Sequence, residues 1–229
     1  MRKDEYQELV GSLGKHTTLV AVSKMQSVDA IRQLYALGQR DFGENYVQEL
    51  IEKQLLLPQD IRWHFIGHLQ SNKVKYIAPF IHLIQSVDSF KLLMEIDRQG
   101  KKLGTTINCL LQVHIATEES KFGLNEPELD ELVQGMLRAN EVNELVHIKI
   151  GGLMGMGSFS DDPDQVRAEF KLLAALFDKY AHINTANFHF QKLSMGMSSD
   201  YKMAIEEGSN MVRIGSLLFG PRVRSRENI

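Results

Sequence analysis

The sequence predicts a single-domain α/β fold, a (β/α)8 TIM-like barrel with an extra N-terminal helix. Three observations predict it. Short apolar runs rich in β-branched residues alternate with longer amphipathic runs along all 229 residues. About eight such units occur, each of roughly 25–30 residues, which is the spacing of a small barrel. No Ser-, Pro- or Gly-rich linker interrupts them, so residues 1–229 read as one domain. Parallel strands need crossover helices, and this alternation supplies them. An open doubly wound sheet is the rival. That fold places a Gly-rich turn after its first strand, whereas here the first strand runs into Ser23-Lys24-Met25-Gln26.

Residues 4–13 read as the extra helix. TTLVAVS (17–23) is the first strand. Val28, Ile31, Leu34, Tyr35 and Leu37 then recur near helical spacing, and Gly38 stops that helix. DFGEN (41–45) is a short strand, with a helix behind it to Leu56. WHFIG (63–67) and IHLIQSV (81–87) are the third and fourth strands, and Asp88 or Ser89 can cap the helix that follows. TINCLLQVHI (106–115) is the fifth, followed by a helix from about Asn125 with Pro127 in its first turn. VHIKIGG (146–152) is the sixth. Asp161, Asp162 and Pro163 open a long helix to about Tyr180. KLSMG (192–196) is the seventh strand, a helix from Ser199 to Glu207 ends at Gly208, and MVRIG (211–215) is the eighth.

Composition narrows the function. Hydrophobic residues make up 43% of the chain and charged residues 24%, values of a globular domain with a real core. A net charge of −3 gives no basic field for nucleic acid. No apolar run is long enough for a bilayer, and MRKDEYQELV lacks the apolar core of a signal peptide. The lone Cys109 excludes an intramolecular disulfide. The expected location is the cytoplasm, with no membrane or nucleic-acid partner.

Functional groups of a barrel gather at the C-terminal ends of its strands. Lys24 follows the first strand directly. A lysine there is partly desolvated, which lowers its pKa and frees the amine to form a Schiff base; a solvated loop lysine is the ordinary alternative. The seventh- and eighth-strand loops, Ser194-Met195-Gly196-Met197-Ser198 and Gly215-Ser216, offer glycines and hydroxyls where barrels often bind phosphate. The alternative makes Ser198 a helix cap and Gly215 a turn. Arg213, in an apolar strand, needs an acceptor or an anion, either a structural carboxylate or a ligand atom. Gly151-Gly152-Leu-Met-Gly155-Met-Gly157 does not match a dinucleotide-binding turn. His64 and His68 are four apart but sit on a strand without an intervening glutamate, so no metal site is expected. Met154, Met156, Met195 and Met197 read as packing residues.

Eight motifs in this order, AVSK (21–24), FGENYVQE (42–49), WHFIGHLQSNK (63–73), SVDS (86–89), ESKFG (119–123), GLM (152–154), LSMGMSSD (193–200) and VRIGSLLFG (212–220), resemble those of the pyridoxal 5′-phosphate (PLP) homeostasis proteins. These are related to the N-terminal barrel of alanine racemases, PLP proteins of fold type III. The resemblance runs from about Leu19 to Arg222. It implies that Lys24 carries PLP as a Schiff base and that Ser194, Gly215 and Ser216 hold the phosphate, with Met195 beside them. It also implies that Arg213 faces the pyridine nitrogen, Asn45 lies near the ring and Lys121 sits at the mouth. Three positions depart from the pattern: Met25-Gln26-Ser27 replaces a Thr-Lys-Pro-like segment, His114 an asparagine, and Ser216 a threonine.

The resemblance implies a protein of vitamin B6 balance that stores or delivers PLP, with PLP-dependent apoenzymes as partners. The alternative is a PLP-dependent amino-acid racemase. Racemases add a β-rich C-terminal domain that supplies a tyrosine across a dimer. This sequence ends soon after Phe219-Gly220, at Ile229, so a monomer without robust turnover is expected.

Overall fold

The computed structural model describes residues 3–117, 122–141 and 144–220. Helix α1 (Lys3–Ser12) precedes a sheet of strands β1 (Thr18–Val22), β2 (Asp41–Glu44), β3 (Arg62–Phe65), β4 (Leu83–Val87), β5 (Ile107–Val113), β6 (Ile148–Gly155), β7 (Phe188–Ser194) and β8 (Met211–Ile214). Neighbouring strands pair in parallel in sequence order, and β8 returns to β1 to close the barrel. The expected fold class is therefore the observed one.

Between the strands run α2 (Val28–Ala36), α3 (Val47–Leu56), α4 (Val74–Ile77), α5 (Phe90–Leu103), α6 (Glu126–Glu141), α7 (Pro163–Ala181) and α8 (Tyr201–Glu206), with α9 (Ser216–Phe219) after β8. Side-chain caps start several of them. Ser27 accepts from the Ala30 amide, Ser89 from Leu92, and Asp162 from Asp164 and Gln165 with Pro163 in the first turn. Asn125 and Glu128 bond each other's backbone amides at 2.9 Å, a reciprocal box that starts α6.

Period-two alternation divides the core into two layers. Outward residues such as Ala21, Phe42, Trp63, Ile84, Leu111, Leu193 and Ile214 pack under the helices. Inward residues Val20, Leu83, Leu110, Met154 and Met211 form a separate, smaller cluster. Other buried inward positions are polar, among them His64, Gln85, Ser194 and Arg213.

Three elements differ from expectation. β7 begins at Phe188, earlier than Lys192, because Phe188 and Phe190 stack with ring centroids 4.6 Å apart beneath α7. A 3-10 turn (Ser71–Lys73) and α4 fill the β3–β4 connection. In α4 only Val74 and Ile77 are buried, too few for a periodic signal. After β8 the chain coils into α9, where the sequence reading placed no element.

The glycine-rich stretch in β6 has a packing reason. The register against β7 shifts between Ile150 and Gly152. Gly152 has φ +146°, and a Cβ there would lie 1.9 Å from the Lys192 carbonyl oxygen. At Gly151 the nearest atoms to an added Cβ are 3.8 Å away. Gly152→Ala should destabilise the fold by about 2–5 kcal/mol, combining backbone strain with overpacking. Gly151→Ala should lie within about 1 kcal/mol of wild type. Urea midpoints measure both, and equal values for the two variants would contradict this account of the bulge.

Candidate functional site

Lys24 sits on a turn held from both sides. Lys53 of α3 is buried, and its Nζ donates to the Ser23 carbonyl oxygen (2.6 Å), Glu44 Oε1 (2.8 Å) and Glu49 Oε1 (2.6 Å). Those three bonds use all the donors of an ammonium. Ser23 Oγ donates to Glu44 Oε1 at 2.6 Å, and the Met25 amide donates to Glu49 Oε1 at 2.5 Å. Met25 takes φ +61°, a left-handed conformation rare for its residue type. The residues on either side of Lys24 are thus tied to one buried ion cluster. Burial raises the Glu44 carboxyl above its ordinary value, outweighing the attraction of Lys53.

Half-buried Lys24 lines a cavity of about 600 Å³ with Val22, Met156, Met197, Ser198, Arg213, Gly215 and Ser216. That volume suits a small organic ligand. Arg213 is 3% exposed, and its Nη2 donates to the Gly155 carbonyl oxygen at 2.8 Å. Among the described residues no carboxylate forms an ion pair with it. Burial lowers its pKa to about 10, and Asp200 acts weakly the other way, so it remains a cation at neutral pH. Ser198 Oγ accepts the Gly215 amide at 3.2 Å, tying the two loops together. Gly215 has an ordinary φ of −119°, and an added Cβ would meet only Val22, at 3.4 Å. Protein packing therefore does not demand glycine there, which fits a cradle whose missing Cβ leaves room for a ligand. An outer groove of about 710 Å³ along α5 and α6 brings no such lysine and arginine together.

Lys24, Arg213, Gly215 and Ser216 are thus brought together as expected. Ser194 is not in the cavity wall. It is fully buried, accepts from Arg213 Nη1 at 2.7 Å and donates to Gln85 Oε1 at 2.7 Å. Met195, one residue on, points the other way into the outer core. Asn45 lines a neighbouring cleft with His68 and Lys73, and its amide oxygen is buried without a partner among the described residues. Lys121 lies outside the described residues. Ser198, Met156 and Met197 join the wall, the two methionines having been read only as packing.

His64 and His68 diverge, His64 toward the opposite rim and His68 toward the cleft of Asn45. His68 bonds Asp88 at 3.0 Å and stacks on Phe122, whereas His64 bonds Asp41 at 3.0 Å. Asp41, His64 and His82 bring potential ligand atoms within 4.8 Å of one another. Arg62 already holds both oxygens of that carboxylate. Burial raises the Asp41 pKa, but the hydrogen bonds from Arg62 and His64 more than reverse this and hold it well below the usual carboxylate range. Burial pushes the His64 pKa down and the His82 pKa to about 4, so both imidazoles are neutral at pH 7. Among the described residues no helix is long and apolar enough to cross a membrane.

Residues 3–223 match the family described as alanine racemase, N-terminal domain. A pyridoxal phosphate homeostasis protein of Aquifex aeolicus is 40% identical, over 89% of this chain and 86% of its own length. The Escherichia coli K12 protein of that name is 37% identical, over 95% and 91%. The chain belongs to the pyridoxal phosphate homeostasis protein family. Within it, PipY of Synechococcus elongatus, solved with PLP bound, superimposes with a TM-score of 0.84 at 33% identity, covering 95% of this chain and 99% of that one. Alanine racemase of Clostridium difficile reaches a TM-score of 0.72 at 17% identity, over 97% and 57%, a likeness of fold.

The ion cluster under Lys24 is the feature of this family member that sequence reading passed over. Lys53→Met would leave Glu44 and Glu49 without their cation, and should cost about 3–5 kcal/mol in urea unfolding. A loss below about 1 kcal/mol would show that the cluster does not hold the turn. The histidines give a pH signature. With its folded pKa depressed below the ordinary 6.5, His64 contributes stability that is complete above that value and is lost as pH falls. The urea midpoint should therefore drop between about pH 7 and pH 5, and a flat profile there would contradict the neutral His64.

Proposed function

We propose that this chain binds PLP in the cavity beside β1 and β8, attached to Lys24, and stores it or delivers it to PLP-dependent apoenzymes as a cytoplasmic monomer. The observation that carries the reading is the convergence of a lysine amine, an arginine without a carboxylate and two hydroxyl-bearing loops on one cavity. The names of the relatives and the PLP-bound PipY structure support it. Lys24 would hold the group through its amine, which can form a Schiff base with an aldehyde and release water. Arg213 would donate to the ring nitrogen. Because guanidinium does not readily give up its proton, that nitrogen stays unprotonated and the ring is a weak electron sink. This favours holding the group over carbanion chemistry.

The phosphate role moves to Ser198, Ser216 and the backbone around Gly215. Ser198, Gly215 and Ser216 all line the cavity. Ser194 instead braces Arg213, and Asn45 stays in the neighbouring cleft, its buried amide oxygen without a partner among the described residues. Met195 fills the core behind the seventh-strand loop.

Borohydride reduction of the protein loaded with PLP should fix the label on Lys24 by peptide mass spectrometry, and Lys24→Ala should lose both the label and the yellow colour. A label on another lysine would sink the assignment. Ser198→Ala combined with Ser216→Ala should weaken PLP at least about tenfold more than pyridoxal, which lacks the phosphate. Equal weakening of both would place the phosphate elsewhere. In a coupled assay the protein should not interconvert alanine enantiomers. Efficient interconversion that Lys24→Ala abolishes would make it a racemase.

A further inference from the structure

A single file of hydrogen bonds crosses the barrel interior from Arg213 to the opposite rim. Arg213 Nη1 donates to Ser194 Oγ (2.7 Å), and Ser194 Oγ donates to Gln85 Oε1 (2.7 Å). Gln85 Nε2 meets His64 Nδ1 at 2.9 Å, and His64 Nε2 meets Asp41 Oδ1 at 3.0 Å. Arg62 Nε closes the file on Asp41 Oδ1 at 2.8 Å. The links come from β8, β7, β4, β3 and β2, and Arg213, Ser194, Gln85 and His64 are each at most 3% exposed.

The direction of every link follows from the first. Arginine only donates. Ser194 must accept from it and has one proton left, which goes to the Gln85 oxygen. That turns the Gln85 NH2 toward His64 Nδ1, which must be the bare nitrogen. The imidazole proton then sits on Nε2 and faces Asp41. Depression of the His64 pKa by burial agrees with this neutral form. Donors thus point one way from the cation at the cavity to Asp41 at the far rim, where Arg62 donates from the other side, and bonds aligned in this way strengthen one another.

The interior of a small barrel is ordinarily filled by branched apolar side chains. Satisfied polar groups add little net stability over such a core. A file of this kind, ending on a buried cation that faces the cavity, therefore calls for a reason other than stability. We propose that Ser194, Gln85 and His64 are positioning residues for Arg213, fixing the rotation of its guanidinium and hence the hydrogen bond it offers a ring nitrogen in the cavity. The proposal rests on the reading that PLP occupies that cavity.

The test uses the full chain loaded with PLP carrying 15N in its ring. Ser194→Ala removes the first link, and Ser194→Thr restores a hydroxyl. Gln85→Glu keeps the shape but cannot donate to His64 Nδ1. Ser194→Ala and Gln85→Glu should shift the ring-15N resonance and the absorption maximum of the bound group. Both should weaken PLP and pyridoxal by the same factor, about threefold to tenfold. Ser194→Thr should return the resonance toward wild type. Should Gln85→Glu fail to fold, the Ala and Thr variants at Ser194 carry the test.

A wild-type label on Lys24 with an unmoved resonance in the variants would overturn the positioning role alone. Selective loss of PLP over pyridoxal in Ser194→Ala would also overturn it and return Ser194 to the phosphate. Absence of any label in the wild type would overturn the functional reading and this proposal together.

Discussion

Four residue pairs, Thr18 with Met211 through Ala21 with Ile214, join the first strand to the last. Lys24 follows β1 and Arg213 lies in β8. In an open sheet of the same strand order those two strands would be opposite edges, about 34 Å apart at the usual strand spacing. No side chain bridges that distance. Closure turns the two ends of the sheet into neighbours and opposes Val20 to Arg213. It also removes the exposed edges that a parallel sheet would otherwise present. The cavity, the loop contact between Ser198 and Gly215, and the polar file beneath Arg213 all depend on that one pairing.

The two buried cations among the described residues, Lys53 and Arg213, are held in opposite ways. Lys53 is surrounded by carboxylates and a carbonyl, and the energy of that cluster goes into the turn carrying Lys24. Losing either sign leaves a buried charge, so the cluster acts as scaffold. Arg213 has neutral acceptors, a serine hydroxyl and a backbone carbonyl, and keeps its charge although burial lowers its pKa. A cation held in this manner retains attraction for an acceptor or anion that the protein does not supply. The first arrangement serves the fold. The second leaves a charge that a ligand in the cavity can use.

The eight strands were legible because a parallel barrel repeats one pattern, apolar run then amphipathic run, and each unit repeats the evidence of the last. Lys24, Arg213, Gly215 and Ser216 were legible because the ends of those strands converge once the sheet closes. Ser194 and Met195 were given both to the seventh strand, KLSMG, and to the phosphate loop at its end. In the structure β7 ends at Ser194, which turns inward to Gln85, and Met195 turns outward into the core. Lys53 left no trace, since a lysine on an amphipathic helix reads as a solvated face. Gln85 and His64 did leave one. A glutamine inside IHLIQSV and a histidine inside WHFIG break apolar strands, and such breaks of a local rule mark places where another constraint has won.

The likeness to alanine racemases stops at the barrel, and function is decided by the groups placed in it. Arg213 is a permanent donor. A ring nitrogen set against it remains an acceptor and draws little electron density from a substrate carbon. The polar file makes this difficult to change, because reversing the donor at Arg213 would require Ser194, Gln85 and His64 all to turn within a packed interior. A catalyst gains from groups whose interactions strengthen in a transition state. A carrier gains from a floor already arranged for the ground state, since pre-arrangement reduces the ordering cost of binding. On the proposed reading of the cavity, donors locked in one direction, from Arg213 to Asp41, suit the second requirement.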